Sequence, residues 1–134
     1  MGDRTNAIIR FPLPFMDKEL RQEAIRILCE NSGLSERDLN EDDLKELPLE
    51  DVNEGAREIV NDLCNSGIPF HVQWGAGDEY DAGCTVSNGK EERHVLWDRH
   101  GGGILIKLDP DGNPDRNAID NAKAFLAMKK GIGL

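Results

Sequence analysis

The stretch from Ile68 to Asp109 constrains this chain more than any other part of it. Short apolar runs alternate with strong turn signals, in the order IPFHVQW, GAGDEYDAG, CTVS, NG, KEERHVLW, DRHGGG and ILIKLD. Phe70, Val72 and Trp74 alternate with His71 and Gln73, the period-2 pattern of a half-buried strand. Cys84 to Ser87 resumes a strand, and Asn88-Gly89 favours a type I′ hairpin turn. Glu92 to Trp97 returns, and Ile104 to Leu108 follows the glycines after His100. These runs predict a four-stranded antiparallel meander over residues 68–108.

Elsewhere the apolar spacing is mostly helical. Asp17 offers an N-cap to a helix whose Leu20, Ala24, Ile27 and Leu28 recur on one face of a 3.6-residue period. Ser35 starts a short or broken surface helix over 35–47, anchored by Leu44 and Leu47 and stopped by Pro48. A further helix over about 50–65 carries the stripe Val52, Ala56, Ile59, Val60 and Leu63. A last helix is capped by Asn113 with Pro114 at its first position, turns Ala118, Ala122, Phe125 and Leu126 to the sheet, and closes at Lys129, Lys130 and Gly131. Residues 7–11 add a strand that ends at Pro12 and Pro14. The expected architecture is one α+β domain over 1–134. It has a four- or five-stranded, mostly antiparallel sheet with three to four helices packed on one face.

At 134 residues the chain can bury a core without disulfides or metals. Cys29, Cys64 and Cys84 are odd in number and widely spaced, so they are read as small reduced hydrophobes. There is no run of about 18 apolar residues to span a membrane. The opening MGDRTNAIIRFPLP lacks the apolar centre of a signal peptide, so a cytoplasmic location is expected. The net charge of −10 is concentrated. From Glu36 to Asp62 eleven acidic residues face only Arg37, Lys45 and Arg57, a local charge of about −8. Such a field repels the phosphates of nucleic acids and anionic lipids and favours a basic protein partner.

Three local patterns resemble functional motifs and fail on inspection. His100-Gly101-Gly102-Gly103 has the form of an oxyanion loop, but no serine stands in the nucleophile turn that such a loop serves. Gly75-Ala76-Gly77 lacks the third glycine of a dinucleotide turn, and the following Asp78, Glu79 and Asp81 would repel a pyrophosphate. Asp109, Asp111 and Asn113 match three calcium-loop positions, but Pro114 replaces the obligatory glycine and Asp120 the final glutamate. An Asp-Pro-Asp-Gly turn explains the same residues.

Two candidate sites remain. One is an acidic partner-binding surface: Asp42, Asp43, Glu46, Glu50 and Asp51 on the helical side, with Asp78, Glu79, Tyr80 and Asp81 in the 75–83 loop, where a tyrosine amid carboxylates suits a basic surface. The other is a set of histidines on the exposed sheet face. His71, His94, Asp98 and His100 could ligate a metal or supply a general base, and Cys84 beside a histidine could form a nucleophile pair. None of these has tight ligand spacing, so no metal or cofactor is expected. The leading expectation is a non-enzymatic acidic protein that binds or inhibits a basic, nucleic-acid-binding type of protein. The alternative is a small metal-binding protein or hydrolase.

Overall fold

The computed structural model describes residues 4–32, 34–53, 57–75, 82–98 and 103–134, with the backbone alone at 4, 5 and 50–53. In chain order these form β1 (Arg4–Arg10), α1 (Lys18–Ser32), β2 (Leu47–Asn53), α2 (Arg57–Asn65), β3 (Phe70–Trp74), β4 (Gly83–Ser87), β5 (Glu92–Leu96) and α3 (Arg116–Gly131). Five antiparallel strands make one sheet in the order β2-β1-β3-β4-β5. The α+β class and the strand count follow the sequence reading.

The first helix forms as its spacing predicts. The Asp17 carboxylate accepts a hydrogen bond from the Leu20 N–H at 2.8 Å, satisfying one of the donors left free at a helix start. Ala24, Ile27 and Leu28 are buried along one side. With Ile59 and Leu63 of α2 they pack on Ala7, Ile9, Phe70 and Val72 of the sheet.

The segment between α1 and α2 departs from the helical expectation. Residues 36–38 make a turn, and the helix expected over 35–47 is reduced to a 3-10 helix, Glu41–Lys45. Asn40 and Asp43 cap it reciprocally, and Leu44 is its buried anchor. Leu47–Asn53 is then a strand, not the start of the following helix. Leu47 and Leu49 pair with Ile9 and Ala7, so their alternation about Pro48 sends both to the α1 side. Pro48 lacks a ladder donor and is tolerated because β2 is an edge strand. α2 is correspondingly short.

The second departure is the division of the helices. Of the α-helices among the described residues, α1 and α2 cover the Phe70 and Val72 face, together with Leu13, Met16, Leu39 and Leu44. α3 lies on the opposite face, where Phe125 and Ile132 pack on Cys84, Val86 and Val95. The reason lies in β4, whose five residues are all buried. A strand buried at every position, its polar Thr85 and Ser87 as well as Cys84 and Val86, has cover on both sides. Burying a side chain the size of Phe125 contributes about 1.5–3 kcal/mol, which holds α3 on this second face.

Two details of the meander also change. Its fourth strand shrinks to a Trp97–Ile104 bridge and a Leu105 N–H donated to the Leu96 carbonyl at 2.9 Å, so β1 and β2 complete the sheet instead. Asp115, not Asn113, caps α3, accepting from the Asn117 and Ala118 N–H groups. Asp109 has already drawn the Asn113 N–H into its own turn, and Pro114 bridges Leu108 in extended form.

Candidate functional site

In an antiparallel sheet, directly paired residues point to the same side and successive residues to opposite sides. His71 pairs with Val86, and Val86 pairs with Arg93. His94 instead pairs with Thr85, which pairs with Val72. The sheet therefore separates the two histidines: His94 lies on the α1/α2 face and His71 beneath α3.

His71 was expected on an open face and is 1% exposed. Burial, with the nearby Lys129 and Arg10 charges, pushes its pKa down to about 4, so it is neutral at physiological pH. Cys84 shares its face and is fully buried, with burial pushing the thiol up to about 12. A thiol so protected is not a nucleophile at neutral pH.

His94 sits at the surface and is oriented. Its ring stacks on Trp74 with centroids 5.3 Å apart and planes 16° from parallel, and its Nδ1 lies 3.3 Å from the Thr85 Oγ1. Gly83 makes the stack possible, because a Cβ there would stand 2.6 Å from Trp74 Cζ2. Burial of the ring face against Trp74 lowers the His94 pKa, while Glu92 opposes that shift. Asp98 has the same strand parity as His94, but four residues of strand separate them by roughly 13 Å. His100 lies outside the described residues. Among those described, no group of three or more His, Cys, Asp or Glu side chains is placed to hold a metal.

The expected acidic residues divide by what they already do. Asp43 is spent on the 3-10 cap, its Oδ2 accepting from the Asn40 N–H at 2.9 Å. Glu46 accepts from Arg10 Nη2 at 2.6 Å and from Arg10 Nε at 3.1 Å. Asp42 stays in solvent, its side chain 88% exposed and its 3.8 Å pair with Lys45 too exposed to hold it. The Glu50 and Asp51 side chains, and Asp78, Glu79, Tyr80 and Asp81 of the loop, lie outside the described residues.

The structure adds Glu19 and Glu23, which precede the acidic 36–62 segment, to the acidic surface. Glu19, Gln22, Glu23 and Arg26 of α1 border an open groove of about 490 Å³, with Glu36 across it and Ile25 and Leu39 providing apolar lining. Arg26 donates to both Glu23 and Glu30, so it leaves the groove acidic on balance. The i, i+3, i+4, i+7 spacing of 19, 22, 23 and 26 marks one helix face and was legible in the sequence. Its proximity to Glu36 depended on the turn at 36–38.

No family model, no curated protein and no solved structure matches this chain. Among the described residues, no helix is long and apolar enough to cross a membrane.

Proposed function

We propose that this is a non-enzymatic, cytoplasmic interaction protein that binds a basic protein partner through its acidic helical layer. The observation that carries the reading is the groove between α1 and residues 36–39, with carboxylates at its rim and Ile25 and Leu39 in its lining. Such a surface suits a segment with apolar side chains flanked by Lys or Arg. The exposed Asp42 and Asp38 extend the acidic field beyond the groove. The other side of the molecule supports the same assignment by contrast. From residue 107 onward, Lys107, Arg116, Lys123, Lys129 and Lys130 balance Asp109, Asp111, Asp115 and Asp120. The acidic 75–83 loop is a second contact in this proposal.

The test is co-purification from native lysate at low and high salt, comparing three proteins. A specific partner should be retained by the unmodified chain and by an Asp111→Asn/Asp120→Asn control. It should be lost or much weakened with Glu19→Gln/Glu36→Gln/Asp42→Asn. Equal retention by all three proteins would remove the acidic layer from the account.

A second reading follows from the stack of His94 on Trp74. An imidazole oriented by Trp74, with Nδ1 at the Thr85 hydroxyl, leaves Nε2 as a base or metal ligand. It makes the chain a small hydrolase or metal-binding protein. It requires bound metal in stoichiometric amount, or an activity abolished by His94→Ala.

A further inference from the structure

On the sheet face that carries α3, register sets Arg10 of β1, His71 of β3, Val86 of β4 and Arg93 of β5 in one row. His71 is the anomaly in that row. It is 1% exposed, yet neither Nδ1 nor Nε2 has a hydrogen-bond partner among the described residues. Buried polar groups are nearly always paired, so an orphaned imidazole calls for an explanation. Phe125 meets the ring at 6.0 Å and 60°, an aromatic contact that gives neither nitrogen a conventional partner.

The two charges that act on the ring, Lys129 and Arg10, are both cations, and the Glu46 carboxylate is held by Arg10 and not by the ring. Lys129 stands one helical turn beyond Phe125 on the same side of α3. It is half-buried and forms no ion pair among the described residues. Arg10 is directly opposite His71 and reaches Gln73 at 3.2 Å and Glu46 at 2.6 Å. The fields of Lys129 and Arg10 act on both His71 and Cys84, as expected if both cations stand over this part of the sheet. A chain of net charge −10 thus sets Lys129, with no ion pair among the described residues, and the Glu46-paired Arg10 about a neutral imidazole. Placing Lys129 near the α3 C-terminus suits the helix dipole, as it does for the exposed Lys130, but leaves His71 unexplained.

We propose that the seam between the last turns of α3 and strands β1 and β3 binds a small oxyanion, a phosphate or carboxylate group. His71 donates one ring N–H to it and Lys129 supplies the opposing charge, while Arg10, held by Glu46 and Gln73, borders the site. The chemistry selects an anion because the ammonium and guanidinium groups are donors only, and both repel a metal cation. Arg10, Gln73 and Lys129 are each partly exposed, so side-chain movement opens the seam to solvent. The site lies on the opposite side of the sheet from the acidic groove and stands or falls independently of it.

The test is a titration of the full chain at pH 7.5 with sodium phosphate, and separately with sodium acetate, at constant ionic strength. The histidine ring ¹⁵N resonances are the readout. Melting temperature is unsuitable because phosphate stabilises many proteins by exclusion from their surfaces. The expected result is a saturable shift at His71 with His94 unmoved. Lys129→Met should weaken binding by roughly tenfold or more, and Lys130→Met should leave it unchanged. Saturation by phosphate alone assigns a phosphate site, by acetate alone a carboxylate site, and by both a general oxyanion site. Absence of a saturable His71 shift with either salt would overturn the proposal, as would an unaltered affinity in a folded Lys129→Met protein.

Discussion

The buried imidazole of His71 should make this fold sensitive to acid before its carboxylates titrate. The ring faces Arg10 on β1, Cys84 on β4 and Lys129 on α3, with no acidic partner among the described residues. Its pKa falls from 6.5 to about 4 on folding, first through burial and then through the two cations. The sign follows directly. Above pH 6.5 both folded and unfolded chains hold the ring neutral, and the stability is fully present. As pH falls, the unfolded chain takes up the proton first, so stability is lost between about 6.5 and 4. With about 1.36 kcal/mol per unit, the loss is about 2 kcal/mol by pH 5 and about 3 kcal/mol by pH 4.

The assay is urea unfolding of the unmodified chain and of His71→Leu at pH 7.5, 6, 5 and 4, in buffers free of phosphate and carboxylate. Taking the difference between the two proteins cancels the carboxylates, which titrate in both. Near pH 7.5 the leucine should be neutral or stabilising, because it removes an orphaned polar group of similar size. Towards pH 4 the variant should gain about 3 kcal/mol relative to the unmodified chain. Parallel pH profiles would refute the reasoning, since His71 would then titrate alike in the folded and unfolded states.

Two further outcomes follow from the packing. Gly83→Val puts a side chain into the Trp74 indole, so it should cost about 1–3 kcal/mol and shift tryptophan fluorescence, and an unchanged melting curve and spectrum would remove the stack from the account. A thiol reagent at pH 8 should leave the fully buried Cys84 unmodified until the chain unfolds, while Cys29 and Cys64, both partly exposed, react earlier but slowly because burial raises their pKa values.

Local pattern was sufficient wherever an element's signals all agreed. Asp17 and the spacing of Ala24, Ile27 and Leu28 specify α1 from within about a dozen residues. The alternation around Val72 and the turn at Asn88 likewise specify β3, β4 and β5; in that turn Asn88 accepts from the Lys90 and Glu91 N–H groups at 2.8 Å. The concentration of acidic charge over 36–62 is likewise a property of the sequence alone. What only the tertiary structure decided was non-local. Leu47 and Leu49 read as well for a helix boundary as for a strand until Ile9 and Ala7 were there to pair with them. The side of the sheet taken by α3 depended on β4 being buried in both directions, which no single strand's period reveals. The fate of the histidines turned on strand parity. A one-residue change of register sends a side chain to the other face. The Val86–Arg93 pairing therefore placed His71 beneath α3 and left His94 at the surface on the other side.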